Sequence, residues 1–278
     1  MSDLFIPLDD AIAAIADTPP LVVSYTNSVT VNEVANTTLH WGGLPVMSED
    51  EREAADMIEL AAACYLNMGT VDETSESRMV TAGKAATARG IPVVFDPVGA
   101  GATPTRTRIA ERILSEVDVS IVKGNYGEIT ALTGSDAEVK GVESVGEYTE
   151  IAETAIACAQ SNDVVVVASG ETDIVADRDG ADELSVGVPM MGQFVGSGCM
   201  LGVTLATFIG AIADENPRRV AISGTAAFGL AGERAADEDD WNGPASYQQT
   251  FLDSIAALAE NGSGSQDVGH RIEQIARR

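Results

Sequence analysis

The residues best placed to do chemistry lie in Gly192-Gln193-Phe194-Val195-Gly196-Ser197-Gly198-Cys199-Met200-Leu201, which continues as an uncharged apolar run to Ala213. Gly196 and Gly198 flank Ser197, a pattern that predicts a tight turn leading into a buried helix. At such a helix start the unpaired N–H groups point outward, the dipole favours negative charge, and glycines keep Cβ atoms out of the way. Gly196, Ser197 and Gly198 are therefore a candidate anion hole for a phosphate. Cys199 falls on the first helical turn, where the same dipole is expected to lower its pKa and let it take a proton from an incoming hydroxyl. A packing explanation also fits these residues in isolation. Glycines let a helix sit close on a sheet, and cysteine serves as a small buried apolar residue.

Three further clusters each follow an apolar run: Asp96 after Ile91-Pro92-Val93-Val94-Phe95, Lys123-Gly124-Asn125-Tyr126-Gly127-Glu128 after Val117 to Val122, and Ser169-Gly170-Glu171 after Val164 to Ala168. In an open α/β sheet ligands bind outside the carboxyl ends of the strands, so these positions converge on one crevice. The carboxylates Asp96 and Glu128 suit Mg²⁺ held through water and phosphate oxygens, Lys123 suits a phosphate, and Ser169 offers a hydroxyl beside Gly170. Taken singly, Asp96 also reads as a helix cap, Glu128 as an exposed helix charge and Lys123 as a surface residue. Their placement after successive strands is what those separate explanations leave out. Val98-Gly99-Ala100-Gly101-Ala102-Thr103 lacks the third glycine of a dinucleotide fingerprint and falls mid-chain, and no GxxxxGK[ST] motif is present.

The elements that must position these residues alternate regularly. A helix over Leu8 to Ala16 stops at Pro19-Pro20, Leu21 to Tyr25 is a strand, and a helix through Asn32 and Leu39 breaks at Gly42-Gly43. Between them Thr26-Asn27-Ser28 opens an asparagine-rich stretch that either turns the backbone or faces a polar ligand. Val46-Met47 is extended, and Ser48-Glu49-Asp50-Glu51 reads as a capping box opening a helix to about Ala62. Cys64 to Met68 is a strand, Glu73 to Arg89 a helix, and Thr103 to Leu114 a helix with an early proline. Helices are also expected over Tyr126 to Leu132, stopping at Gly134, and over Glu147 to Gln160. Ile174 to Ala176 and Leu184 to Val186 form an antiparallel hairpin around an acidic turn at Asp177 to Asp182. Long helices over Pro217 to Ala236 and Pro244 to Ala259 flank an acidic turn at Asp237-Glu238-Asp239-Asp240. A flexible link at 261–265 then precedes a short C-terminal helix. The pattern gives one α/β domain over residues 1–278, with a mostly parallel central sheet flanked by helices.

Composition bounds the partners. The 278 residues carry 43 acidic and 16 basic side chains, a formal net charge of −27, and only three lysines, Lys84, Lys123 and Lys140. An acidic coat of this size repels phosphate backbones and anionic lipid, which argues against nucleic acid and membrane surfaces as partners. Self-repulsion at low salt weakens as the Debye length falls to about 3 Å at 1 M, so the surface suits a concentrated-salt cytosol. The odd number of cysteines, Cys64, Cys158 and Cys199, provides neither a disulfide framework nor metal spacing. No secretory signal pattern opens the chain, and a cytoplasmic location is expected.

Thr26-Asn27-Ser28-Val29 with Asn32, Ala35-Asn36, Leu39, Gly42 and Pro45-Val46-Met47 resembles the N-terminal signature of hydroxyethylthiazole kinases, the thiamine-salvage branch of the ribokinase-like superfamily. Leu66-Asn67-Met68-Gly69-Thr70, Pro92 to Thr103 with Arg106, Gly124-Asn125 with Glu128-Ile129, and Gly196-Ser197-Gly198-Cys199 continue the match in order, so the resemblance runs from about Pro20 to Ile212. Other kinases of that superfamily typically have aspartate where this chain has Cys199. The resemblance implies a ribokinase-like fold and transfer of the ATP γ-phosphate to the alcohol of 4-methyl-5-(2-hydroxyethyl)thiazole. It implies Asn27, Met47 and Gly196 in the thiazole pocket, Lys123 and Ser169 at ATP, Asp96 and Glu128 as the magnesium and phosphate carboxylates, and Cys199 as the base. It also implies a homotrimer with active sites between subunits. Lys123 and Ser169 stand where that family more usually has arginine and threonine; lysine keeps the charge but loses bidentate phosphate geometry. Two alternatives are another ribokinase-like small-alcohol kinase and a non-catalytic nucleotide-binding protein.

Overall fold

The structure, a computed structural model, describes residues 4–133, 148–238, 241–264 and 268–277. Gly134, Glu147, Asp239, Asp240 and Ser265, to which the sequence reading assigned helix ends, turns or links, lie outside the described residues, as does Lys140.

In chain order the elements are α1 (Leu8–Asp17), β1 (Leu21–Tyr25), α2 (Val31–His40), β2 (Leu44–Met47), α3 (Ala54–Glu59), β3 (Ala63–Asn67), α4 (Glu73–Arg89) and β4 (Val93–Asp96). They continue with α5 (Pro104–Glu116), β5 (Ile121–Asn125), α6 (Tyr126–Leu132), α7 (Tyr148–Asn162), β6 (Val165–Ser169), β7 (Asp173–Ala176) and β8 (Gly180–Leu184). Last come α8 (Ser197–Ala211), α9 (Pro217–Asp237), α10 (Pro244–Asn261) and β9 (Ile272–Arg277). One nine-stranded sheet has the order β2-β1-β3-β4-β5-β6-β7-β8-β9. Strands β2 to β6 in that order pair parallel, whereas β7, β8 and β9 are antiparallel.

Strand alternation divides the core into two layers. Val22, Tyr65, Val94, Ile121 and Val167 pack on the face covered by α8, α9, α10 and α1. Val23, Leu66, Phe95, Val122 and Val166 pack on the other face, with Ala82, Ile109 and Ala155 from α4, α5 and α7. Because side chains alternate with period two, every second residue toward a strand's carboxyl end returns to the α8 face. Asn67 follows Tyr65 in this way, Asp96 follows Val94, Lys123 follows Ile121 and Ser169 follows Val167. Helix α8 is apolar all round and buried from Met200 to Ile209, as a central helix must be. Gly202 lets it seat closely, since a Cβ there would stand 2.7 Å from the Tyr65 hydroxyl.

Several boundaries differ from the sequence reading. Lys123 lies inside β5 and Asp96 ends β4, so both belong to strands rather than to the loops after them. The expected capping box at Ser48 does not form. Ser48 N–H bonds Ser24 O and extends the strand, and Asp50 instead caps a short 3-10 turn by accepting from Arg52 N–H, so α3 begins only at Ala54. Within the expected flexible link, Gly262 and Ser263 are held in place: Asp9 accepts from Ser263 N–H at 2.6 Å, and Arg234 donates to Ser263 O at 2.6 Å and to Gly262 O at 3.3 Å. The expected C-terminal helix is β9. It pairs antiparallel with β8, because ladder bonds to an otherwise open edge outweigh weak helix propensity in a short segment.

The expected acidic turn also shortens. Asp182 is buried in β8 and faces Arg218 at the start of α9, with Nη2 2.7 Å from its carboxylate and Nη1 2.8 Å from Asp177. Arg218→Ala would leave the Asp182 charge buried without this partner. Chemical denaturation should show a loss of about 3 kcal/mol, little changed by added salt.

Candidate active site

The carboxyl ends of β3, β4 and β5 and the first turn of α8 meet at one point. Gly196 precedes α8 with φ +102°, and Ser197 opens the helix. A Cβ on Gly198 would stand 2.8 Å from Lys123 Nζ, so the lysine ammonium occupies the space that the missing side chain leaves at the helix start. The same ammonium is 3.8 Å from Asp96 Oδ1, and both side chains are almost fully buried. Burial on its own would lower the lysine pKa, but the Asp96 and Glu128 charges more than reverse that and hold it above its ordinary value. Lys123 is thus a fixed positive charge beneath the proposed anion hole.

Asp96 is fully buried. Its Oδ2 accepts from the Tyr65 hydroxyl at 3.0 Å and from Asn67 Nδ2 at 2.9 Å, whereas its Oδ1 has no hydrogen-bond partner. Burial pushes its pKa up to about 6, against the opposing pull of Lys123. Burial and the Asp96 charge hold the Tyr65 phenol well above its usual pKa, so it remains a donor.

Cys199 corrects one expectation. Its thiol pKa is raised, first by burial and then by the Asp96 carboxylate, with Thr30, Lys123 and Asn67 working in the other direction. The helix start is occupied by a buried network containing an anion, so desolvation outweighs the dipole. Asn27 Nδ2 approaches Cys199 Sγ at 3.5 Å and Asn67 Nδ2 approaches it at 3.3 Å. At Asn27 the structure shows the turn-forming role that the sequence allowed. Its Oδ1 accepts from the N–H groups of Val29 and Thr30, which makes the turn, while its amide faces the site.

Glu128 braces two loops. One oxygen accepts from Gly99 N–H and the other from Asn125 N–H, each at 2.8 Å, and Asn125 Oδ1 in turn accepts from Glu128 N–H in a capping box that starts α6. Arg106 fixes the neighbouring turns by donating to the carbonyls of Met68, Val98 and Gly69. Ser169 ends β6 opposite Asn125, and its hydroxyl donates to Gly124 O at 3.3 Å. Met47 ends β2 opposite Ser24, half-buried on the α8 face.

Sequence reasoning assigned no role to Tyr65, Asn67 or Asp173. Asp173 accepts from Gly170 N–H, feels the Lys123 charge, and is pushed up to about 7 by burial. The signal for Tyr65 and Asn67 was available: polar residues two apart at the end of a strand share one face, here with Asp96 beside them.

The donor set suits a hard cation. Asp96 Oδ1 is a buried oxygen that accepts no hydrogen bond and meets Lys123 only at 3.8 Å, and carboxylate oxygens are the ligands Mg²⁺ prefers. Among the described residues no group of three or more His, Cys, Asp or Glu could hold a metal by itself, so phosphate oxygens and water would have to supply the other ligands. No helix among them is long and apolar enough to cross a membrane.

Comparison with known proteins gives a consistent family. The profile of the Hydroxyethylthiazole kinase family matches residues 12–261. The chain is 58% identical over 273 residues to a hydroxyethylthiazole kinase of Natronomonas pharaonis, covering 98% of this chain and 97% of that one. The solved structure of a hydroxyethylthiazole kinase protein from Pyrococcus horikoshii superposes with TM-score 0.85 and 32% identity, covering 97% of this chain and 99% of that one. A ribokinase-like superfamily protein from Enterococcus faecalis superposes with TM-score 0.61 at 11% identity, covering 94% and 91%, and shares the fold.

Gly196 gives a direct test of the site's backbone. A Cβ there would meet Thr30 Cγ2 at 3.0 Å and would have to adopt a positive φ. Gly196→Ala should cost about 1–2 kcal/mol in chemical denaturation and change the rate at which Cys199 is alkylated.

Proposed function

This chain belongs to the hydroxyethylthiazole kinase family, and we propose that its cleft transfers the γ-phosphate of ATP to the hydroxyl of 4-methyl-5-(2-hydroxyethyl)thiazole, a reaction of thiamine salvage. The observation that carries this reading is the convergence of Asp96, Lys123 and the first turn of α8, with the lysine 3.8 Å from the carboxylate. Gly196, Ser197 and Gly198 receive the transferred phosphoryl group at their backbone N–H groups, where the helix dipole and Lys123 offset its charge. Lys123 and Ser169, on one face of adjacent strands, contact the ATP phosphates. Mg²⁺ bound through Asp96, with Glu128 nearby, would supply charge neutralisation between the phosphates.

Asn27, Met47 and Gly196 hold the thiazole. As the substrate oxygen forms its bond to phosphorus and the bond to ADP breaks, the hydroxyl proton passes to Cys199 Sγ in its thiolate form, leaving the neutral thiol. A thiol with a raised pKa carries little thiolate at neutral pH, so most of the rate must come from positioning and charge. The kinase draws on an ATP pool, which supports a cytoplasmic location. The net charge of −27 supports adaptation to salt. The exposed Val29 and Val195 beside the Gly196–Thr30 contact support burial against a neighbouring subunit, as in a homotrimer.

Purified protein incubated with Mg-ATP and hydroxyethylthiazole, in molar KCl and in dilute buffer, should form ADP and thiazole phosphate in equal amounts and faster in the salt. ADP without thiazole phosphate would reject the substrate, and equal rates in the two buffers would reject the salt adaptation. Cys199→Ser should lower kcat roughly tenfold, whereas Asp96→Ala should lower it by about a thousandfold or more. Similar small losses in both would refute the division of roles. Asp96 acts as the carboxylate, which is the form present above its raised pKa. The pH profile of kcat/KM should therefore fall as pH drops through about 6.

A further inference from the structure

Asn67 lies at the last position of β3, 3% exposed, and every polar atom of its side chain is engaged. Its Oδ1 accepts from Asn27 Nδ2 at 2.8 Å and from Gly69 N–H at 2.9 Å. Two donors on one oxygen fix which way the amide faces, because a flipped carboxamide would set its own N–H groups against both. Its Nδ2 is therefore directed at Asp96 Oδ2 at 2.9 Å, the Tyr65 hydroxyl at 2.9 Å and Cys199 Sγ at 3.3 Å. An amide has only two protons for these three acceptors, so donation toward sulfur, carboxylate and phenol is shared. Both sides of the transfer reaction, the group nearest the substrate proton and the carboxylate nearest the phosphates, thus hang on one side chain.

We propose that Asn67 is a positioning residue for phosphoryl transfer, its amide holding Cys199 Sγ and Asp96 in their working placement and donating to whichever carries more negative charge. The inference rests on the roles given above to Cys199 and Asp96. Tyr65 extends the same link, since its hydroxyl reaches Asp96 Oδ2 and the Cys199 carbonyl at 3.1 Å, tying the sheet to the first turn of α8. Asn67 touches neither phosphate nor thiazole in this assignment, so its removal should slow turnover without weakening substrate binding.

The test is a pair of variants assayed as the whole enzyme. Asn67→Asp retains an acceptor for Asn27 and Gly69 but removes the donor, whereas Asn67→Ala removes both without adding charge beside Asp96. Circular dichroism and thermal melting identify which of them is folded. Each folded variant should lose roughly a hundredfold in kcat with KM for ATP and for the thiazole within about twofold of wild type. In a double-mutant cycle the kcat loss from Asn67→Ala should shrink when Cys199 is already serine. Wild-type kcat in folded Asn67→Asp or Asn67→Ala overturns the proposal, as does a rise in KM with kcat unchanged. A Cys199→Ser enzyme with wild-type kcat would instead remove the base assignment. A kcat loss in the Asn67 variants would then still support positioning of Asp96.

Discussion

A carboxylate sealed inside a parallel sheet is tolerated only if its surroundings offset the lost hydration, and Asp96 is such a group. The offset comes from three neighbouring strand positions on the same face. Lys123 provides the opposing charge, and Tyr65 and Asn67 provide donors. The start of α8 closes the fourth side. Burial raises the Asp96 pKa, and its Oδ1 accepts no hydrogen bond and meets Lys123 only at 3.8 Å, so one carboxylate oxygen is left open in the protein alone. A site poised in this way is suited to a cation arriving with phosphate, and it explains why so many polar groups are drawn to one edge of an otherwise apolar sheet.

The sequence made the architecture legible wherever a period could be read. The buried runs at Val93 to Phe95 and Val165 to Ala168, and the long capped helices α4 and α9, fall close to the expected places. It failed where tertiary pairing decides the outcome. The segment Ile272–Arg277 has no strong local preference and becomes a strand because β8 offers an edge. Asp182 looked like part of a turn because acidic residues cluster there, yet a distant arginine on α9 lets it enter a strand. At the site, residue types were readable one by one, but the electrostatic sign at Cys199 was not. The helix dipole is a local property of the chain, whereas desolvation and the Asp96 charge come from β3, β4 and β5 packing beneath the helix.

The protein separates its electrostatics into two regimes. On the surface the excess of acidic residues is diffuse and screened by salt, and pairs such as Arg52 with Asp50 contribute little to stability. In the interior the Lys123–Asp96 and Arg218–Asp182 pairs are shielded from the solvent and respond weakly to ionic strength. The acidic coat can therefore be adjusted to its medium without disturbing the charges at the cleft.

The way α1 is held has a kinetic consequence. The backbone of Ile6 exchanges bonds with Ser223 on α9, and Asp9 holds Ser263 beyond α10, contacts that span 217 and 254 positions. Closing loops of that length costs entropy before any contact repays it. Helix α1 therefore docks only once α8, α9 and α10, far along the sequence, are in place, and its apolar Ile12 and Ile15 face is covered by long-range closure rather than by local pairing.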